Sequence, residues 1–408
     1  MPKFARPVSA RWRRAIALPW RWLVIGTLAA ACACLPGCGG NSTATTTSPP
    51  AGIAFAAPVA YGTGGTNPNC VAVADFNGDG IMDLAVTNKS NDTVAVLLGK
   101  GDGTFAAAVT YSVGNGPFPV WVVAADFNND GKPDLAVVNA LVGTSGGTFA
   151  ILLNNGDGTF GAATQFNTGI SPLFIAAGDF NHDGNQDVWI GGNGTGAVLL
   201  GNGDGTFQVP TLYQTDSNGG GAFGVAVGDF DGDGFADIAA ANFGSNTVGV
   251  LLNNGGGIFR DLATYPAGSG PDGLAAADVN HDGKLDLIAP DLSSNSVSVL
   301  LGNGDGTFQA VSSVTAGTSP SGVLVADLDG TGHLDLAIPD SKGDGVTVIL
   351  GNGDGTFGKY YDFPSSSANA QPGASSIAVG DFNGDGRLDI AVVNYNDSTV
   401  AILLGQKP

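Results

Sequence analysis

Asp75–Asp83 reads DFNGDGIMD, and the phrase returns as DFNNDGKPD at Asp126–Asp134, DFNHDGNQD at Asp179–Asp187 and DFDGDGFAD at Asp229–Asp237. It returns again as DVNHDGKLD at Asp278–Asp286, DLDGTGHLD at Asp327–Asp335 and DFNGDGRLD at Asp381–Asp389. The seven copies start 51, 53, 50, 49, 49 and 54 residues apart. A period near 50 residues is that of a propeller blade. Around each copy the order is constant. In the first repeat an apolar run, Val71-Ala72-Val73-Ala74, enters the loop, and a second, Leu84-Ala85-Val86, leaves it. A polar turn leads to Thr93–Leu98, then comes GKGDGTF at Gly99–Phe105, with the Gly/Asp chemistry of a hairpin. A fourth run near Ala106–Val113 completes the unit. Four short strands per repeat predict an all-β fold, a seven-bladed β-propeller of four-stranded blades.

The ends of the array fit together. Ile53–Tyr61 (IAFAAPVAY) matches the fourth-strand phrase GTFAAAVTY at Gly103–Tyr111, and the chain stops after a third strand at Thr399–Leu404. Pairing the two would complete the last blade with the N-terminal strand and remove two open sheet edges.

Composition agrees. Gly is 66 and Pro 21 of 408 residues, with 43% apolar residues, which describes a turn-rich chain that still has a core. All 36 acidic residues are Asp, a poor helix former and a good turn and metal residue. Only 15 residues are basic, which argues against nucleic acid as a partner.

Residues 1–37 read as a signal peptide. Lys3, Arg6, Arg11, Arg13, Arg14 and Arg21 precede an apolar run from Trp22 to Leu35, too short to span a bilayer. The run ends in Leu35-Pro36-Gly37-Cys38, which resembles a bacterial lipobox with Cys38 as the lipidated residue. The expected location is the bacterial cell envelope, by a lipid anchor in the outer membrane or at the cell surface. Residues 38–52 form a Ser/Thr/Pro-rich tether, and 53–408 the propeller. Cleavage before Cys38 leaves Cys70 as the only other cysteine, so no internal disulfide can brace the fold. The mature chain carries nine basic and 36 acidic residues, a formal charge of −27.

The Asp loops carry the chemistry. In the first, Asp75, Asn77 and Asp79 stand at positions 1, 3 and 5, Gly80 at 6, the carbonyl of Ile81 at 7 and Asp83 at 9. This is the oxygen-donor spacing of a calcium loop without its terminal Glu. The second loop offers Asp126, Asn128, Asp130, Lys132 (carbonyl) and Asp134, and the third Asp179, Asn181, Asp183, Asn185 and Asp187. The fourth offers Asp229, Asp231, Asp233, Phe235 and Asp237, and the fifth Asp278, Asn280, Asp282, Lys284 and Asp286. The seventh offers Asp381, Asn383, Asp385, Arg387 and Asp389. Loop six keeps Asp327, Asp329 and Asp335 but has Thr331 at position 5, so it is expected to be the weakest, and loop four, with an added carboxylate, the tightest. Hard oxygen donors select calcium over zinc. The competing reading is a set of metal-free Asx turns. Asp102, Asp157, Asp204, Asp305 and Asp354, in the GDGTF phrases, read as hairpin-turn residues.

The loop followed by G-N-G-D-G-T-F resembles the FG-GAP/VCBS repeats, the calcium-loop propeller family that includes the integrin α-subunit head. The resemblance covers about residues 53–408. It implies that each loop joins the first and second strands of a blade, that the GDGTF turns share that face, and that ligands bind mainly opposite.

On the opposite face, the residue five before each loop is Cys70, Trp121, Phe174, Gly224, Gly273, Gly322 and Ser376. Trp121 and Phe174, with Phe118 nearby, either plug the central channel or floor a binding depression. The longest loops there are Asn139–Thr148, Gln214–Phe223 and Pro364–Ser375. Catalysis has little to stand on. His182, His281 and His333 all lie in Asp loops, Cys70 has no histidine to activate it, and Asp340 with Asp344 is the one carboxylate pair close in sequence on that face. The expected function is an exported, calcium-stabilised binding or adhesion module for a protein or surface ligand. A lectin-like propeller is the alternative, and a polysaccharide-active hydrolase or lyase the more distant one. A monomer is expected, with no nucleic-acid partner and the membrane reached only through the N-terminal lipid.

Overall fold

The computed structural model describes residues 53–407 except 115–117, 141–145, 217–220, 261, 344 and 368–371. The signal peptide, the tether, Cys38 and Asp344 therefore lie outside the described residues, as do parts of the three long loops.

Every regular element described is a strand. The strands form seven four-stranded antiparallel sheets, and the protein is a seven-bladed β-propeller. Blade 1 runs Pro68–Ala74, Asp83–Asn88, Thr93–Leu97 and Val109–Ser112. Blades 2 to 6 repeat this order, with inner strands Pro119–Ala125, Pro172–Gly178, Ala222–Gly228, Ala275–Ala277 and Leu324–Ala326. Blade 7 comprises Ala374–Gly380, Asp389–Asn394, Thr399–Leu403 and, as outer strand, Val59–Gly62, with Tyr61 opposite Val400. Beside it Ala54–Phe55 pairs with Gly405–Gln406.

The inner strands of neighbouring blades touch from blade 7 through blade 1 to blade 6, so they line the axis. The second strand is buried along its length, as in Asp83–Asn88, because both of its faces meet other blades. That is why it reads as a continuous apolar run and does not alternate. The outer strand is mostly exposed, with a half-buried Tyr61, Tyr111, Tyr213 or Tyr265 turned inward.

Three devices join one blade to the next. The first is aromatic. The Phe after the first loop Asp meets the Phe of the next blade's GTF phrase edge to face: Phe76 with Phe160 at 5.4 Å, Phe127 with Phe207 at 5.9 Å and Phe382 with Phe105 at 5.5 Å. Such pairs add about 0.5–1.5 kcal/mol beyond the area they bury. The second is a backbone latch. Gly158 N–H donates to Phe76 O at 3.1 Å and Gly205 N–H to Phe127 O at 2.9 Å, and the pattern continues to Gly355 N–H and Val279 O at 3.3 Å. The third is a buried Asn ending the second strand. Asn88, Asn139, Asn242 and Asn394 donate through Nδ2 to the carbonyls of Thr63, Val113, Thr215 and Ser365 in the preceding blade.

Candidate metal centres on one rim of the propeller

Each Asp loop joins the inner strand of its blade to the second strand, and the G-x-G-D-G-T-F turns lie on the same rim, since Gly99 N–H reaches Asp83. Within the first loop, Asp75 Oδ1 accepts from Gly78 N–H at 2.7 Å, and Oδ2 from Gly80 N–H at 2.8 Å. Asn77 Oδ1 accepts from Asp79 N–H, and Asp79 Oδ1 from Ile81 N–H. The tight coil needs φ near +83° at Gly80, a left-handed value that glycine adopts without strain. Position 4 is left-handed as well, which explains why it holds only Gly, Asn or His.

Position 9 behaves differently from the others. Asp83 is buried, and its two oxygens accept from Phe76 N–H at 2.9 Å and Gly99 N–H at 2.7 Å. Asp134, Asp187, Asp237, Asp286, Asp335 and Asp389 repeat this staple. Burial pushes the carboxyls of Asp83, Asp134, Asp187, Asp237 and Asp335 up to about 6, against the pull of the two N–H donors. Neighbouring loop carboxylates add to the rise, as Asp79 and Asp75 do for Asp83.

Two loops bring three carboxylates together. Asp229, Asp231 and Asp237 in loop four, and Asp327, Asp329 and Asp335 in loop six, each place ligand oxygens within 4.8 Å of one another. These are positions 1, 3 and 9, so position 3 faces the same point as positions 1 and 9. The two clusters differ in charge balance. In loop four the Arg260 guanidinium lies 3.2 Å from Asp231 and 3.9 Å from Asp233. Among the described residues, no ion pair reaches loop six, and the buried Asp327 Oδ1 has no hydrogen-bond partner. The donor set is all oxygen, and an oxygen without a partner beside two further carboxylates suits a hard dication. Acidic clusters able to hold a metal ion are thus present on this rim. Arg260, distant in sequence from loop four, carried no signal that would have placed it there.

The GDGTF aspartates are turn formers. Asp102 Oδ1 accepts from the Thr104 hydroxyl and N–H, which holds its carboxyl below the ordinary range, and Asp157, Asp204, Asp305 and Asp354 do the same.

On the opposite face, Trp121 is 2% exposed and Phe174 0%, their rings meeting edge to face at 6.1 Å. A ring buried to this degree offers no face to a ligand, so the pair packs the axis and does not floor a depression. Each follows a β-bulge in its inner strand, which turns the side chain inward. Phe118 is 41% exposed. Cys70 is fully buried, and burial pushes its thiol up to about 12, which leaves it without nucleophilic character. Asp340 is buried, and its oxygens accept from the N–H groups of Thr318 and Lys342, so it holds a turn.

No curated protein matches the chain. The fold is shared with an Agrocybe aegerita lectin solved for its recognition of non-reducing terminal N-acetylglucosamine: 22% identity, TM-score 0.51, 87% of this chain and 96% of that one. BBS1N, solved in complex with ARL6DN, aligns at 14% identity and TM-score 0.58 over 87% of this chain and 97% of its own. A Lactobacillus plantarum protein aligns at 16% identity and TM-score 0.51 over 85% and 91%. The model of the FG-GAP-like repeat matches residues 75–137, 139–190, 179–240, 229–289, 289–338 and 327–392, and the chain accordingly belongs to the FG-GAP-like repeat family.

Proposed function

We propose that the protein is an exported binding module whose propeller is braced by calcium on the loop rim. The observation that carries the metal is the convergence of Asp327, Asp329 and Asp335 around a buried oxygen that no protein group satisfies. In each loop, the side chains of positions 1, 3, 5 and 9 and the carbonyl of position 7 would hold the ion, and position 9 would also keep the coil closed through its two N–H donors. The ion would supply charge compensation and rigidity and no reaction chemistry. Binding is assigned to the face opposite the loops, where Phe118 is exposed and the chain departs most from its repeat. The N-terminal segment supports export and lipidation at Cys38.

The test is a melt in calcium and in excess chelator. At a hundredfold excess of calcium over its Kd, each filled loop adds about 2.7 kcal/mol, so chelation should lower the midpoint by many degrees. An unchanged midpoint after confirmed metal removal rejects the calcium reading. A glycan array that includes terminal N-acetylglucosamine, run in both conditions, decides the ligand class. Calcium-dependent binding to a defined sugar makes the protein a lectin, and a blank array with folded protein assigns the face to a protein partner. Loss of acyl labelling in Cys38→Ser tests the anchor.

A further inference from the structure

Position 4 of one Asp loop meets position 7 of the loop in the next blade. Asn129 Nδ2 donates to Asn185 Oδ1 at 2.7 Å between loops two and three. The His182 ring lies 4.5 Å from the Phe235 ring between loops three and four. Between loops five and six, the same juxtaposition brings together His281 and His333, with ring centroids 6.0 Å apart and planes inclined at 45°. These are two of the three histidines in the chain.

We propose that His281 and His333 form a two-imidazole site for a transition-metal dication such as Zn²⁺, Ni²⁺ or Cu²⁺, bridging blades 5 and 6. Metal–nitrogen bonds of about 2.0–2.1 Å put the centroids of two imidazoles on one tetrahedral ion about 5.2 Å apart, so the observed 6.0 Å needs the rings to close by under about 1 Å, within reach of a side-chain rotation. Imidazole nitrogen suits these ions and not calcium. The loop backbone sets where both side chains leave the chain, and the turn of blade 6 packs against one of the rings. His281 sits at φ +59°, and the His333 ring lies against the blade 6 turn, where a Cβ on Gly353 would come within 2.6 Å of Cδ2. His281 is exposed and His333 half-buried, which leaves room for water to complete the coordination. Asp354 of the same turn is close enough to interact electrostatically with His333 and adds a carboxylate to the surroundings. Neither side chain belongs to the oxygen donor sets of loops five and six, so both kinds of ion can bind together.

The seam gives the pair a structural role. It has Val279 where most loops have Phe, and its backbone latch, 3.3 Å, is the longest of the series. A metal bridge would restore a link that the aromatic pair supplies elsewhere.

The experiment titrates Zn²⁺ into the purified protein in saturating calcium by calorimetry, and repeats it with Cu²⁺ to count coordinating nitrogens by electron paramagnetic resonance. The variants are His281→Asn and His333→Lys, residues this chain already uses at those positions (Asn129, Lys132, Lys284), so the loops keep their geometry. His182→Asn is the control. Wild type should bind one equivalent with two nitrogens on copper. Each seam variant should bind it about tenfold or more weakly, the scale of losing a group that supports a metal site, and the control should bind normally. Absence of that equivalent in wild type, its persistence in either seam variant, or its equal loss in His182→Asn overturns the proposal.

Discussion

Blades 1 to 4 and blades 5 and 6 are cut from one repeat, yet they are held differently. In the first arc the inner strands run seven residues, from Pro68–Ala74 to Ala222–Gly228. In blades 5 and 6 they shrink to Ala275–Ala277 and Leu324–Ala326. The axis is filled by Trp121 and Phe174 on one side, whereas on the other the backbones close up, and a Cβ on Gly273 would lie 2.8 Å from Gly322 Cα. The buried Asn that ties blade 1, 2, 4 or 7 to its neighbour becomes Asp291 and Asp340. A carboxylate cannot donate to the preceding blade's carbonyl, so Asp291 takes the hydroxyls of Ser296 and Ser298 of its own blade, and Asp340 keeps a tie to the preceding blade only as an acceptor, from Thr318 N–H. The loop Phe becomes Val279 and Leu328, and the aromatic pairs stop. A ring closed by symmetry can thus be unevenly braced, and the arc with fewer cross-blade links should open at the lower free energy.

The largest effect that would break this contrast lies in the aromatic pairs. Phe127→Ala should cost about 3–5 kcal/mol, measured by denaturant unfolding in calcium. Val279→Ala, at the equivalent position in the weaker arc, removes two methylene equivalents and should cost about 1.6 kcal/mol. Equal losses would mean that the Phe pairs do not brace the first arc.

A smaller effect sharpens the second difference. Burial pushes the Asp291 carboxyl up to about 6, above the ordinary range of the unfolded chain. The native state then keeps its proton to a higher pH, so the contribution of Asp291 to stability is greatest when protonated. It falls as pH rises from about 4 to about 6. Asp291→Asn should therefore be the more stable protein at pH 7.5 by about 1–3 kcal/mol, and the gap should narrow at pH 5. A gap that is absent or widens on acidification would show that the carboxylate is well accommodated.

The smallest effect concerns the tightly packed side. Cys70 lies beside the Val122 carbonyl at 3.8 Å, sealed in the blade 1–2 contact. Its thiol should resist a thiol reagent in native protein and react only in denaturant. Reaction at native rates would place the weaker packing in this arc as well.

Blade number, strand order and the acidic loops on one rim were legible in the sequence, because the Asp phrase and the hairpin phrase recur at a fixed period and each needs a specific backbone turn. The staple made by Asp83 and its equivalents was half legible: the residue was singled out as an oxygen donor, but its two hydrogen bonds were not foreseen. Its burial and its bond to Gly99 N–H depend on a hairpin turn 16 residues away. The Asn lock, the Phe pairs and Arg260 in loop four were not legible, since each joins residues from separate segments.

The local rules of turn, period and alternation belong to neighbours along the chain, and by themselves they determined that this protein is a propeller with seven acidic loops on one rim. Only the closed ring decided that Trp121 and Phe174 are buried, that Asp340 supports a turn, and that His281 faces His333. Those outcomes rest on the distance between blades about 50 residues apart, and that distance is set by how the inner strands pack around the axis.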